Sequence, residues 1–108
     1  MQVKELNSLG FSAISHPAPD RTVDGVYIGD LLSWVMGKAT ENNVWITIMS
    51  NVNVIAVASL CDVSAVILAE GVTLDSEILE LAKEKGVNIF TTPLSAYDAA
   101  TKLYDALK

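Results

Sequence analysis

The sequence predicts an α/β fold, a three-layer sandwich in which Rossmann-like βα repeats build a mostly parallel sheet. Two apolar runs carry this prediction, residues 44–49 and 65–69, because neither has the polar alternation of a strand with one wet face. Strands covered on both faces belong to parallel sheets. From residue 44 onward, strand and helix patterns alternate three times with short connections, which implies right-handed crossovers and helices on both faces.

Length, cysteine usage and charge together predict a single cytoplasmic domain that does not bind nucleic acid or membranes. The 108 residues are enough for one domain, residues 1–108, with a core that needs no covalent staples. The single cysteine excludes an internal disulfide, and an amino terminus without signal-peptide character predicts a cytoplasmic protein. The formal charge of −6 argues against nucleic acid or an anionic membrane as a partner. Asp62 interrupts the longest apolar stretch, residues 52–69, which favours a buried core over a membrane span.

The amino-terminal third predicts a helix, two short strands and a second helix. Apolar spacing predicts an opening helix that ends at Gly10, followed by a strand over residues 11–15. Two prolines then break regular structure before the next strand, residues 25–28. Asp30 is expected to cap a helix over residues 31–38, because its carboxylate can accept hydrogen bonds from the first-turn amides.

The helix predicted over residues 52–61 is apolar on almost every side. Val54, Ile55 and Leu60 cannot all face one sheet, since they point in different directions around the helix axis. The outer side of this helix must therefore be covered either by the amino-terminal segment or by another copy of the chain. On this basis we favour a homodimer.

The carboxyl-terminal third continues the alternation. Thr73 or Asp75 is expected to cap a helix that ends at Gly86, and residues 87–91 resume a buried strand. Pro93 is expected at the start of the last helix, because proline tolerates the first helical position. The residues predicted to dock that helix on the sheet are Ala96, Ala100, Leu103, Tyr104 and Leu107.

Three loops are predicted to meet where a ligand would bind. In an open parallel sheet, ligands bind beyond the carboxyl ends of the strands, where helices point their free amides. The candidate ligand-binding residues are Ser50, Asn51, Asn53, Glu70, Gly71, Thr73, Thr91, Thr92 and Ser95. Helix capping is the alternative explanation for the Ser, Thr and Asn residues, since their oxygens accept from first-turn amides.

No pattern predicts catalysis, a metal site or a cofactor. The only histidine, His16, is predicted to be solvated beside a proline. Cys61 lies on an apolar helix beside Asp62, which predicts an inert thiol. Arg21 lies between two carboxylates, an arrangement that an ion pair bracing a surface loop explains. A phosphoryl carrier remains an alternative that would require an exposed, reactive His16 or Cys61.

Residues 65–102 contain three segments that resemble the DRTGG domain family. They read V-I-L-A-E-G, L-E-L-A-K-E-K-G-V and T-T-P-L-S-A-Y-D, and residues 46–60 match the family in the order of elements. The family's Thr-Gly-Gly falls at residues 69–71, where only Gly71 is retained. The triplet at residues 20–22 spells Asp-Arg-Thr but lies elsewhere in the chain.

The resemblance implies a non-catalytic regulatory domain that is often dimeric. Such domains are found in phosphate acetyltransferases and CBS-pair proteins, and the amino-terminal domain of HPr kinase/phosphorylase is similar. The expected function is a module that senses a small metabolite or nucleotide at the carboxyl edge of the sheet and acts as a homodimer. The alternative is a purely structural domain that docks a partner in a kinase-associated or hydrogenase-associated system, without a small-molecule ligand.

Overall fold

A five-stranded sheet forms the middle layer of the fold, in a computed structural model that describes residues 1–108. The strands, in chain order, are β1 (Ser12–Ser15), β2 (Gly25–Ile28), β3 (Asn43–Thr47), β4 (Ala65–Leu68) and β5 (Ile89–Thr91). Their order across the sheet is β1-β5-β4-β3-β2. Strands β2 to β5 are mutually parallel, whereas β1 pairs antiparallel with β5. The predicted α/β class and mostly parallel sheet are confirmed.

Five helices cover the sheet. A 3-10 helix spans Val3–Leu9, and it is followed by α1 (Leu32–Lys38), α2 (Asn53–Cys61), α3 (Ser76–Glu84) and α4 (Ala96–Leu107). The longest of these has twelve residues. None combines the length and the hydropathy that crossing a bilayer would require.

The helices lie on both faces of the sheet and enclose two apolar cores. One core joins Trp45 and Val66 to the helices α1, α2 and α3, and the other joins Ile46 and Ile67 to α4 and the 3-10 helix. Alternate side chains of β3 and β4 therefore point into different cores, and all four residues of β4 are buried. This two-sided burial is the reason that both strands read as continuous apolar runs.

Helix α2 owes its apolar character to neighbours within the chain. It lies on the sheet with contacts to α1 on one side and α3 on the other, so that Val54, Ile55 and Val57 are all buried. The sequence predicted that either the amino-terminal segment or another copy of the chain would cover this helix. In the structure the amino-terminal segment does so, through α1. Leu60 alone among its large side chains remains mostly exposed, at 71%. The composition of α2 therefore gives no argument for a dimer.

One predicted helix cap and one predicted helix start are wrong. Helix α1 begins after Leu31, and Asp30 makes no cap because its carboxylate turns instead to a hydroxyl and an amide at the end of β3. Helix α4 begins after Ser95, whose Oγ accepts from the Asp98 amide at 3.1 Å. Pro93 precedes this helix, because a serine at the N-cap supplies the side-chain acceptor that proline lacks.

Candidate ligand site at the carboxyl edge

The three predicted loops lie together at one edge of the sheet. They follow β3, β4 and β5, which are adjacent and parallel, so that their carboxyl ends point the same way. The turn after β2 lies at the same edge and contributes Asp30. The capping pattern predicted that Asp30 would cap α1, and it gave no sign that this residue lies at the carboxyl edge.

The β3–α2 loop is held by its first residues. Asp30 Oδ1 accepts from Thr47 Oγ1 at 2.7 Å and from the Ile48 amide at 3.0 Å. The Thr47 hydroxyl accepts in turn from the Met49 amide at 3.2 Å. Three consecutive residues therefore leave β3 in a conformation fixed by one carboxylate and one hydroxyl.

The part of the loop that leads into α2 keeps free donors. The Asn51 side chain accepts from the Asn53 amide at 2.9 Å, an Asx turn that orders the start of the helix. Capping therefore explains part of the role of Asn51. The amides of Ser50, Asn51 and Val52 make no hydrogen bond within the chain, and all three residues are exposed. They are the available donors at the amino-terminal end of α2.

The loop after β4 makes a tight turn at Glu70 and Gly71. Both residues have left-handed backbones, with φ of +59° and +73°, and the Val72 amide donates to the Ala69 carbonyl at 3.1 Å. These are the features of a type I′ turn, in which glycine at the second central position avoids a steric penalty. The turn holds the Glu70 side chain exposed, without a hydrogen-bond partner.

The amides of this turn are already used. Glu70 N donates to Leu94 O at 2.8 Å, and Gly71 N donates to Thr92 O at 2.9 Å. The loops after β4 and β5 are thereby joined by backbone hydrogen bonds. Gly71 consequently serves the turn, and its amide does not point at an open site.

The three hydroxyls of the β5–α4 region also have partners inside the chain. Thr91 Oγ1 donates to Val72 O at 2.9 Å, the buried Thr92 Oγ1 accepts from Leu94 N at 3.2 Å, and Ser95 caps α4. These side chains position the loops. Thr73, by contrast, is exposed and makes no side-chain hydrogen bond. The edge therefore divides into a supporting part and an open part.

The open part combines amide donors with acidic acceptors. Its donors are the backbone amides before α2, and the charged residues in the turns at this edge include the carboxylates of Asp30 and Glu70. No lysine or arginine lies within the three loops. No group of three or more His, Cys, Asp or Glu side chains could hold a metal ion. The arrangement suits a polar ligand that accepts from backbone amides and donates hydroxyl hydrogens to a carboxylate.

The two residues with potential for covalent chemistry lie away from this edge. His16 follows β1, which runs antiparallel to β5, so it lies at the opposite edge of the sheet. Its Nδ1 is buried without a partner and its ring meets Phe90 edge-on, with centroids 5.6 Å apart, so the prediction of a solvated side chain is wrong for this atom. Cys61, at the far end of α2, is half-buried, and burial raises the pKa of its thiol.

Arg21 is also at the opposite edge. Its guanidinium donates to Asp62 Oδ1 and to the Asp62 carbonyl, both at 2.8 Å, and to the Val63 carbonyl at 3.2 Å. Asp20, its neighbour in the sequence, pairs with Lys4 instead. The predicted ion pair thus exists, but with a distant partner, and it ties the amino-terminal loop to the end of α2.

The pattern that carried the sequence resemblance extends over most of the chain. The DRTGG domain family matches residues 13–106, which adds β1, β2 and α1 to the region that the sequence segments covered. The chain belongs to the DRTGG domain family. Comparison with curated proteins gives no match.

A solved structure has the same fold as this DRTGG domain. It is the crystal structure of the CBS and DRTGG domains of the regulatory region of Clostridium perfringens pyrophosphatase, complexed with an activator, diadenosine tetraphosphate. The TM-score is 0.72 and the sequence identity is 22%, over 93% of this chain and 44% of that one. This chain therefore spans less than half the length of that structure, and the likeness concerns the fold.

Proposed function

We propose that this DRTGG domain is a non-catalytic regulatory module that binds a small metabolite or nucleotide at the carboxyl edge of its sheet and acts as a homodimer. The observation that supports ligand binding is the run of three unpartnered amides, Ser50 to Val52, at the start of α2. An anionic group such as a phosphate accepts from such amides and is stabilised by the helix dipole.

The remaining predicted residues have distinct parts in this proposal. Glu70 and Thr73 offer exposed polar side chains at the same edge of the sheet as the amides, and Glu70 could accept from a ribose hydroxyl. The residues that hold the loops in place are Asn51, Asn53, Gly71, Thr91, Thr92 and Ser95. The activator of the C. perfringens regulatory region, diadenosine tetraphosphate, supports nucleotides as the class of ligand to try first.

The non-catalytic part of the proposal rests on what the site lacks. The edge offers carboxylates, hydroxyls and amides, whereas His16 and Cys61 lie at the other end of the sheet. A general base and a nucleophile would have to lie within hydrogen-bond reach of each other and of the ligand. Binding without turnover is the function that this set of groups supports.

Val52 provides a direct test of the amide donors. Its φ of −61° already suits proline, and its amide has no partner in the chain, so Val52→Pro deletes one donor without breaking a hydrogen bond of that amide. Val52→Ala shortens the same side chain but keeps the amide. Calorimetric titration with diadenosine tetraphosphate, ATP, AMP and inorganic phosphate should give binding to wild type and Val52→Ala. We expect about a tenfold or greater loss of affinity in Val52→Pro.

Thermal unfolding gives an independent readout. A ligand at one hundred times its dissociation constant should add about 2.7 kcal/mol to the free energy of unfolding. If none of the four compounds raises the midpoint, or if Val52→Pro binds as tightly as Val52→Ala, the proposed site is wrong. The alternative of a partner-docking domain without a small-molecule ligand would then be favoured.

A further inference from the structure

An apolar groove of about 810 Å³ runs between the edge strand β2 and helix α4. Its large side chains include Val26 and Ile28 from the strand and Tyr97, Tyr104 and Leu107 from the helix. Tyr97 and Tyr104 are exposed by 75% and 68%, and Ile28 by about half. The sequence had placed Tyr104 against the sheet, which the structure corrects.

Helix α4 separates its buried and exposed apolar residues onto two stripes. Ala99 and Leu103 are fully buried on the sheet. Tyr97, Thr101 and Tyr104 follow a spacing of four and three residues, so they share one side of the helix, and all three line the groove. Two tyrosines at this spacing extend the apolar surface beyond the outer strand of the sheet.

Strand β2 has a free edge beneath these tyrosines. The Gly29 amide donates inward to the Ile46 carbonyl at 3.2 Å. In a parallel ladder alternate residues bond to the neighbouring strand, so Tyr27 shares the inward direction with Gly29. Val26 and Ile28 therefore direct their amides and carbonyls outward, where β2 has no partner. Such an edge is a template for another strand.

The outer strand on the other side of the sheet, β1, offers no comparable apolar surface. Strand β1 exposes Ser12 and Ala13, and no large apolar side chain of that strand is exposed. A head-to-tail contact between the two edges would therefore place an apolar surface against a polar one. Only a contact between two β2 edges joins apolar surface to apolar surface, and it closes on itself as a two-fold contact does.

We propose that a second copy of the chain occupies this groove, with the two β2 strands paired antiparallel across a two-fold axis perpendicular to the sheet. The two sheets then form one continuous ten-stranded sheet. Both α4 helices lie on the same face, and Tyr97 and Tyr104 of each copy pack into the groove of the other. This arrangement rests on the homodimer in the proposed function and gives its surface.

The size and charge of the patch suit this occupant. A stable interface buries about 800 Å² on each partner. A fully buried aromatic side chain removes roughly 150–250 Å² from water. Because Tyr97 and Tyr104 are 75% and 68% exposed, the two together would bury roughly 200–350 Å², and Ile28, Leu107 and the open edge of β2 would supply the rest. The only charged residue in the groove, Lys108, already pairs with Asp105 at 3.6 Å. The groove lining therefore brings no unpaired charge to the contact, although each copy has a net charge of −6.

Light scattering on gel-filtered protein tests the proposal with three matched variants. Tyr104→Glu and Ile28→Lys place a charge in the groove at half-exposed or exposed positions, and Leu60→Glu places one at an equally exposed apolar position on α2. We expect wild type and Leu60→Glu to be dimers, with twice the chain mass of 11.6 kDa. The two groove variants should be monomers, with the mass of a single chain. Unchanged circular dichroism of Tyr104→Glu will show that dissociation is not unfolding.

Hydrogen exchange tests the strand pairing itself. In the dimer the outward amides of β2 should exchange slowly, and in Tyr104→Glu they should exchange at the rate of an open edge. A monomeric wild type, or a dimer that persists in both groove variants, would overturn the proposal. So would a dimer in which the amides of Val26 and Ile28 remain unprotected. Nucleotide binding at the carboxyl edge is measured separately. A dimer that binds no nucleotide contradicts the proposed ligand site, and a monomer that binds one contradicts the proposed dimer.

Discussion

Thr47 donates its hydroxyl hydrogen to the Asp30 carboxylate over 2.7 Å, linking the end of β3 to the turn after β2. The Thr47 side chain is almost completely buried, at 2% exposure. The same carboxylate oxygen also accepts from the Ile48 amide. The loop that carries the free amides of the candidate site is thus held at its start by the last residue of β3 and by a carboxylate in the turn after the neighbouring strand β2.

Removing the Asp30 carboxylate should destabilise the protein. Asp30→Ala leaves a buried hydroxyl and the Ile48 amide without this acceptor, and we expect the free energy of unfolding to fall by about 1–3 kcal/mol. Urea unfolding followed by circular dichroism measures the change. Asp24→Ala is the control, because it removes the same charge from an exposed side chain that makes no hydrogen bond. Equal stability of the two variants would contradict the role of Asp30.

The same pair of residues illustrates how far the sequence could predict the fold. Buried parallel strands are apolar on both faces, so residues 44–49 and 65–69 located the centre of the sheet, and chain order then located the edge where the loops meet. Asp30 was misassigned because a carboxylate before a helix satisfies the capping pattern equally well. Its actual partner, Thr47, is seventeen residues away, and no local pattern reports that distance.

Other errors have the same origin in tertiary contacts. Helix α2 is apolar because it packs between α1 and α3, a position that its own sequence cannot distinguish from an interface with another copy. Tyr104 has the helical spacing of a core residue, yet it overhangs the outer strand. The free amides before α2 and the hydrogen bond from Glu70 to Leu94 depend on backbone geometry, which composition does not encode. That the three loops meet at one edge of the sheet was predictable, and their division into free and used donors was not.

Gly71 should tolerate substitution poorly because of its backbone. Its φ is +73°, and a Cβ there would meet no atom within 4 Å, so Gly71→Ala introduces conformational strain without a clash. We expect a loss of about 1–2 kcal/mol in the free energy of unfolding. Gly37, within α1, is an ideal comparison, since a Cβ there is also unobstructed. Gly37→Ala should raise stability by up to about 1 kcal/mol. Losses of similar size in both variants would disprove the backbone explanation.

Arg21 should contribute more to stability than an ordinary surface ion pair. Its guanidinium reaches one carboxylate oxygen and two backbone carbonyls around the end of α2, a fork that lysine cannot reproduce. Arg21→Lys should therefore lower the free energy of unfolding by about 1–2 kcal/mol in urea titrations. Lys4→Ala breaks the exposed Lys4–Asp20 pair and should cost less than about 0.5 kcal/mol. The interpretation fails if Arg21→Lys is as mild as Lys4→Ala.

Cys61 should make stability depend on alkaline pH. Burial raises the pKa of its thiol in the folded protein, so the unfolded chain loses this proton first as the pH rises. The unfolded state then binds fewer protons than the folded state, and stability decreases with pH. The contribution of the neutral thiol is complete below the ordinary thiol pKa and is lost as the pH rises through it toward the folded-state value.

Paired urea titrations across this pH range isolate the effect. Cys61→Ala retains every other titrating group, so the difference between wild type and this variant reports the thiol alone. We expect the free energy of unfolding of wild type to fall relative to that of Cys61→Ala as the pH increases. Alkylation by iodoacetamide should agree, because the thiolate is the reactive form and its midpoint should lie at higher pH in folded than in urea-unfolded protein. Coincident pH profiles for wild type and Cys61→Ala would show that the half-buried thiol is solvated like a free one.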